Sequence, residues 1–265
     1  LVLATVFIAA GGYVINDIFD QETDFENHSK KTIIGNSISE SKAYIIYASL
    51  TITGVLCGFI LANSVDRSNF AVIFVLIATL LYFYASTLKQ IAVVGNIIVA
   101  TLLAFSVIII GIFDIVPNTF DFNQKQMMLA FAILFDYAKF AFIINLVREI
   151  IKDIEDIKGD TLQQMKTLPI LIGVAKTNII ALVLLLLPVL YLFYYVKSNL
   201  FDNNLLYAVF YMIALVIAPM IICLIKIWNA KEKSDYTQIS SLLKWIIFFG
   251  ILSIAVITLN IKFNG

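Results

Sequence analysis

The chain has 265 residues, of which 61% are hydrophobic and 14% are charged. Together with a mean hydropathy of +0.96, this excludes an ordinary soluble domain and is typical of a protein that crosses a membrane several times. The formal net charge is zero, which excludes the strongly basic surface expected of a protein that binds nucleic acid.

Eight apolar stretches follow one another along the chain, and most of them approach the ~20 residues that a helix needs to cross a bilayer. They are continuous rather than alternating, which favours helices over a transmembrane barrel. The predicted fold is therefore all-α, a bundle of eight transmembrane helices in one domain. The stretches are residues 1–15, 44–62, 70–86, 91–113, 127–147, 177–196, 205–227 and 242–259.

The first stretch ends in the acidic segment NDIFDQETD, in which Asn16 is followed by Asp17, Asp20 and Asp24. Intervals of three and four residues place these three carboxylates on one face of a helix or of its frayed end. Lys30 and Lys31 follow this segment.

The fifth stretch ends in REIIKDIEDIKGD, where Asp153, Asp156 and Asp160 repeat the same spacing. Carboxylates at such intervals repel one another, so we expect a cation to offset them. Magnesium is the natural candidate, because it binds one or two carboxylates together with substrate phosphates. For any single aspartate, a solvated loop charge that caps a helix is the alternative interpretation.

Basic residues near the two acidic segments suit a diphosphate ester, since arginine binds phosphate bidentately and lysine acts as a point charge. Arg148 and Lys152 stand beside the second segment, and Lys89 lies in the short loop after the third stretch. Asn145 precedes the second segment by two turns and either extends this polar wall or bonds to another helix.

The distribution of lysine and arginine predicts the orientation of the chain, because basic loops stay on the cytoplasmic side. Twelve basic residues follow the odd-numbered stretches, against four on the other side. Both acidic segments are therefore predicted to be cytoplasmic. The twelve are Lys30, Lys31, Lys42, Lys89, Arg148, Lys152, Lys158, Lys166, Lys176, Lys226, Lys231 and Lys233, and the four are Arg67, Lys125, Lys197 and Lys262.

Two charged residues, Asp136 and Lys139, interrupt the fifth apolar stretch near its middle. Charges at that depth are costly and usually face each other or a cavity. Either they form an ion pair within the bundle or they serve acceptor binding or proton removal. Histidine-rich metal centres are excluded, because His28 is the only histidine.

The two acidic segments resemble the signatures of the UbiA-type family of intramembrane prenyltransferases, the N-D-x-x-D-x-x-x-D motif and a second aspartate-rich motif. YASTLKQIAVVGN is similar to the family's tyrosine and lysine segment, with Tyr84 and Lys89 at the matching positions, and KTLPILIG resembles the stretch after the second motif. The run NLVREIIKDIEDIKGDTLQQMKTLPILIG is most similar to the branch of geranylgeranylglycerol-phosphate geranylgeranyltransferases. Ser29 and Lys31 depart from the proline and arginine that the family often has.

The resemblance implies nine helices around a central cavity open to the cytoplasm, so we expect one further helix before Leu1. It also implies that the aspartate motifs hold Mg²⁺ and a prenyl diphosphate. The implied metal ligands are Asn16, Asp17, Asp20, Asp24, Asp153, Asp156 and Asp160, with the aspartates also carrying catalysis. The implied substrate-binding residues are Asn16, Lys31, Tyr84, Lys89, Asn145, Arg148 and Lys152.

The expected reaction is cleavage of the allylic carbon–oxygen bond of the prenyl diphosphate, followed by transfer of the prenyl group to a lipophilic or polar-lipid acceptor such as geranylgeranylglyceryl phosphate. An aromatic acceptor of quinone biosynthesis, a terpene cyclase and a cation transporter are the alternatives. Transporters place ionisable residues at the bilayer midplane, whereas these aspartates follow the apolar stretches. Aromatic rings that attract an allylic cation are sought among Tyr13, Phe19, Tyr82, Tyr84 and Tyr137.

Overall fold

A computed structural model describes residues 1–21 and 33–264 of the chain. These residues form ten helices besides the single 3-10 turn Leu88–Gln90, and eight of the ten are long and apolar enough to cross a membrane. The predicted all-α fold with eight spans is confirmed. The helices are α1 (Val2–Phe19), α2 (Glu40–Ser64), α3 (Ser68–Ser86), α4 (Val94–Ile115), α5 (Gln124–Glu155), α6 (Ile157–Leu162), α7 (Leu168–Ile172), α8 (Val174–Phe201), α9 (Leu206–Asn229) and α10 (Lys233–Asn264).

The helix α5 extends well beyond the apolar stretch 127–147 from which it was predicted. Its 32 residues correspond to roughly 48 Å at the ordinary helical rise, which exceeds a hydrocarbon core of about 30 Å. The added turns contain Arg148, Lys152 and Asp153. The helix stops before Asp156, whose φ of −101° and ψ of 7° are not helical, so the second acidic segment does not lie on one continuous helix.

The chain divides into two compact units, of which the first contains Leu1–Lys139 and Asp156–Thr167. In this unit α1 packs closely against α2, and glycines permit the approach. A Cβ atom at Gly54 would lie 2.7 Å from Ile8 Cγ1 of α1. On the α3 side of α2, one at Gly58 would overlap the buried ring of Phe74. Small residues are the usual means by which membrane helices approach each other.

The second unit contains Phe140–Glu155 and Leu168–Gly265. Its core joins the end of α5 to α8, α9 and α10 through fully buried side chains that include Ile151, Leu185, Met220 and Leu243. Hydrogen bonds between helices add to this packing. The Ala208 amide donates to Asn260 Oδ1 at 2.9 Å, which satisfies a backbone donor at the start of α9.

Many apolar side chains on the long helices are exposed, among them Ile60, Leu76, Val183 and Phe210. In a bilayer such side chains contact lipid, where burial inside the protein is not needed to remove them from water. With eight spans, the chain is an integral multi-pass membrane protein.

Candidate active site

The first acidic segment lies at the carboxyl end of α1, which ends at Phe19. Asn16 donates from Nδ2 to Asp20 Oδ2 at 2.6 Å, so the asparagine orients the second aspartate of the motif. Asp17 is exposed on the last turn of the helix. The predicted site residues Asp24 and Lys31 lie outside the described residues.

An ion pair joins Asp20 to Lys89, which lies in the turn after α3. The side chains are only 10% exposed for Lys89 and 15% for Asp20. A carboxylate at the carboxyl end of a helix faces the negative end of the helix dipole, and the lysine offsets this. The sequence predicts Lys89 as a diphosphate-binding residue and does not predict this ion pair. Tyr84 lies half-buried one turn earlier on α3.

The turn that carries Lys89 is shaped by a close backbone approach. A Cβ atom at Gly95 would lie 2.8 Å from Lys89 Cα and 3.1 Å from Leu88 O, so only glycine fits without displacing the turn. Val93 precedes it with a φ of 67°, which is uncommon for a β-branched residue.

The second acidic segment is fastened to the same turn by the backbone. The Lys166 amide donates to Gln90 O at 3.1 Å, and Ile91 and Lys166 form an isolated parallel β-bridge. The Asp160 amide donates to Asp156 O at 3.1 Å, which fixes the start of α6. The residues that follow the second motif therefore pack directly against the loop that binds the first.

Charged residues of both acidic segments and of the Lys89 turn act on the pKa of Asp160. Its side chain is buried, and burial, followed by the charges of Asp156 and Asp20, raises its pKa to about 7, although Thr167 and Lys89 act in the opposite direction. Burial disfavours the charged form of a carboxyl, and neighbouring carboxylates disfavour it further. Asp20 belongs to the first motif and Asp156 to the second, so carboxylates of both motifs act on the pKa of Asp160.

The remaining predicted residues lie on the part of α5 that belongs to the second unit. Asn145 is buried and donates to Ala141 O at 2.8 Å, so its amide nitrogen bonds within its own helix. Asp153 lies on the last turn. Arg148 and Lys152 both contact Glu149, a buried carboxylate that the sequence analysis missed. The spacing of Glu149 and Lys152 by three residues was a signal for this contact.

Aromatic side chains surround the end of α1 in the first unit. The rings of Phe19 and Tyr82 meet edge to face with centroids 5.9 Å apart. Tyr47, which was not predicted, lies 6.4 Å from Tyr82. An open apolar groove of about 490 Å³ between α2 and α3 includes Tyr47 and Tyr82. Tyr13 is largely exposed.

Asp136 and Lys139 form the ion pair that was one of the two sequence interpretations, at 2.5 Å. The ammonium of Lys139 also lies 5.2 Å from the centre of the Phe135 ring. Both charged side chains remain about half exposed.

The acidic residues fit a divalent cation that is shared with a phosphate ester. Within residues 1–21 and 33–264, no three acidic, histidine or cysteine side chains converge to hold an ion by themselves. Magnesium needs only one or two carboxylates when phosphate oxygens and water complete its shell. Asp20 and Asp160, whose charges interact, supply that number.

The profile of the UbiA prenyltransferase family matches residues 1–258. The chain belongs to this family. Among its UbiA relatives, digeranylgeranylglyceryl phosphate synthase of Saccharolobus solfataricus is 36% identical over 186 residues, which are 70% of this chain and 60% of that protein. The enzyme of the same name from Methanosphaera stadtmanae is 34% identical over 222 residues, 82% of this chain and 71% of the relative.

The fold is shared with a solved structure described as that of digeranylgeranylglyceryl phosphate synthase in membranes. The TM-score is 0.59 at 26% sequence identity, with 98% of this chain and 84% of the other covered. The UbiA assignment made from the two aspartate motifs is therefore confirmed.

Proposed function

We propose that the whole chain acts as one prenyltransferase domain that moves a prenyl group from a prenyl diphosphate to the hydroxyl group of a glycerol phosphate lipid, geranylgeranylglyceryl phosphate. The ion pair of Asp20 with Lys89, together with the influence of both charges on the pKa of Asp160, carries the proposal, since it relates the two acidic motifs electrostatically. The names of these two relatives support the acceptor. Family membership favours an enzyme over a cation transporter.

Magnesium is the proposed cofactor, held by Asn16, Asp17, Asp20, Asp24, Asp153, Asp156 and Asp160. When bound, a divalent cation stabilises the negative charge that develops on a departing diphosphate. The chain's own cations act in the same sense. Lys89, which already contacts an acidic motif residue, supplies a point charge, and Arg148 supplies a planar donor group. The proposed diphosphate-binding residues are Asn16, Lys31, Tyr84, Lys89, Asn145, Arg148 and Lys152.

In the proposed reaction the bond between the allylic carbon and the diphosphate oxygen breaks, and its electron pair leaves with diphosphate. The acceptor hydroxyl oxygen forms the new bond to that carbon and releases its proton to water or to a basic group. Phe19 and Tyr82 lie beside the first motif, where ring faces stabilise positive charge by roughly 0.5 to 2 kcal/mol each. The excess of basic residues in the loops with both motifs supports a cytoplasmic site.

A direct assay tests the function. Purified protein in detergent is incubated with magnesium, labelled geranylgeranyl diphosphate and one acceptor at a time: geranylgeranylglyceryl phosphate, 4-hydroxybenzoate or none. We expect an ether product with the glycerol phosphate lipid alone, abolished by chelation and restored by magnesium. A product with hydroxybenzoate alone would assign the chain to quinone biosynthesis, and a cyclised hydrocarbon without acceptor would make it a cyclase.

Two substitutions in the acidic motifs, compared with a control outside them, test whether the motif residues are needed for activity. Asp20→Ala and Asp160→Ala are expected to lower turnover by more than about a hundredfold, in the range found when groups that stabilise transition-state charge are removed. Asp202→Asn, an exposed carboxylate on the loop before α9, is the matched control and should keep full activity. Full activity in both motif variants contradicts the roles proposed here.

A further inference from the structure

Glu149 lies on α5 between two of the basic residues to which the proposed function assigns the diphosphate. Its side chain is 9% exposed, and a buried charge requires partners that replace the lost water. One carboxylate oxygen accepts from Arg148 Nη1 at 2.8 Å. The other lies 3.7 Å from Lys152 Nζ. Each oxygen of this buried carboxylate thus contacts a different cation.

The geometry restrains two long side chains at once. Free arginine and lysine side chains sample many rotamers, and this freedom is lost when they bind a ligand. A carboxylate that contacts both of them reduces that loss before the ligand arrives. It does so without cancelling the local field, because one negative and two positive charges leave a net charge of +1.

Arg148 keeps donors available while it contacts Glu149. Its side chain is 16% exposed, and its buried Nε has no hydrogen-bond partner in the described part of the chain. A guanidinium has five N–H donors and binds phosphate oxygens in pairs. With Nη1 held by Glu149, the Nε–H remains as a donor for a phosphate oxygen.

We propose that Glu149 is a positioning residue that holds Arg148 and Lys152 in the orientation needed to bind the diphosphate of the donor. This inference rests on the proposed function. Glu149 acts through its two neighbours and does not touch the substrate, since a carboxylate would repel the diphosphate.

The first test compares Glu149→Gln, which removes the charge and keeps the shape, with Glu149→Asp, which keeps the charge. KM and kcat are measured for geranylgeranyl diphosphate and for the acceptor. Glu149→Gln is expected to raise the donor KM about tenfold, as for loss of a charge-assisted hydrogen bond, with the acceptor KM unchanged. Glu149→Asp should recover much of the loss. Glu232→Gln, at an exposed site, is the control.

A double-mutant cycle with Arg148→Lys separates positioning from a purely structural role. If Glu149 acts through Arg148, Glu149→Gln adds little to the donor KM of the Arg148→Lys variant. If the two effects multiply, or if Glu149→Gln raises both KM values equally, the inference is wrong. Thermal midpoints in detergent show whether each variant is folded, and Glu149→Met, which also removes the charge, carries the cycle if the glutamine variant is not folded.

The outcomes also distinguish this inference from the function on which it rests. If Arg148→Lys leaves the donor KM unchanged, the diphosphate role of Arg148 is wrong and the inference fails with it. If Arg148→Lys raises the donor KM but Glu149→Gln does not, only the positioning role fails. The Kd of a non-cleavable prenyl thiodiphosphate, measured for the same variants, compares donor binding without turnover.

Discussion

Lys89 and Asp20 lie 69 positions apart in the sequence and form an ion pair. The pair joins the end of α1 to the turn after α3, and the same turn accepts the Lys166 amide at Gln90 O. Three separate segments of the first unit therefore meet at one turn. Lys89 thus pairs with Asp20, and its charge also acts to lower the pKa of Asp160.

Replacing Lys89 with methionine is expected to impair both stability and activity. The substitution leaves Asp20 without its ion-pair partner, and breaking a largely buried pair costs about 3 kcal/mol. We also expect kcat/KM for the donor to fall by about a hundredfold, as for loss of a group that stabilises developing charge. Chemical denaturation in detergent and steady-state kinetics measure the two effects. Lys158→Met, at an exposed lysine of α6, should show neither, and an unaltered donor kcat/KM in Lys89→Met contradicts the assignment.

The raised pKa of Asp160 predicts how the stability of the metal-free protein changes with pH. In the folded protein Asp160 keeps its proton up to about pH 7, whereas in the unfolded chain it releases the proton near 3.8. Between these values the folded state binds more protons, so the free energy of unfolding decreases as pH rises. The decrease in the free energy of unfolding ends once the pH exceeds the folded pKa of about 7, because Asp160 is then deprotonated in both states.

Asp160→Asn should therefore stabilise the metal-free protein while it removes activity. The amide has no charge to bury, so the thermal midpoint at pH 8 should exceed that of the parent chain, and the midpoint should depend less on pH between about 4 and 7. Magnesium is expected to raise the midpoint of the parent chain more than that of the variant. A lower midpoint in Asp160→Asn at pH 8 would show that the carboxylate is not under electrostatic strain.

Periodicity and composition were enough to predict the eight spans, because an apolar run of the right length has few alternatives in a bilayer. The repeated aspartate spacing predicted one shared site, and the electrostatic influence of Asp20 on Asp160 is in keeping with that prediction. Neither could predict the break at Asp156, because the acidic spacing continues through it while the backbone does not. The hydrogen bond from the Lys166 amide to Gln90 O could not be predicted either, since every residue type carries the same backbone groups.

Glu149 shows a different limit. It was not singled out from the sequence, and its burial follows from the length of α5, because the helix continues past the apolar stretch into the region with Arg148 and Lys152. Similarly, the tight turn at Gly95 depends on how α4 meets the loop before it. Such contacts between segments are determined by tertiary packing and not by local sequence.

Gly95→Ala is expected to displace Lys89 without removing any charged group. The added methyl group would lie 2.8 Å from Lys89 Cα, which is too close, so the turn must move. We expect a loss of donor kcat/KM of about tenfold or more, because shifts of about 1 Å in a catalytic group are costly. Gly173→Ala is no suitable control, since its φ of 85° already disfavours a side chain.

Ala92→Gly, in the same loop, serves as the control for Gly95→Ala because it removes a side chain and cannot create a clash. Its activity should stay within about twofold of the parent chain, the scale of surface changes of this size. If Gly95→Ala also stays within that range, the turn is more adaptable than the close approach indicates.

Asp136 and Lys139 are expected to stabilise each other within the span of α5. Lys139→Met leaves a carboxylate unpaired near the middle of a transmembrane helix, where a single charge costs roughly 2.5 to 3.5 kcal/mol. The double variant Asp136→Asn, Lys139→Met removes both charges and should recover most of the loss. Thermal midpoints and the yield of folded protein measure this, and a coupling free energy of at least about 1 kcal/mol is expected for side chains 2.5 Å apart.

The same variants decide between the two interpretations of Asp136 and Lys139, because an ion pair that only stabilises the fold leaves the acceptor KM of the double variant unchanged. A raised acceptor KM in a fully folded double variant would instead assign the pair to acceptor binding.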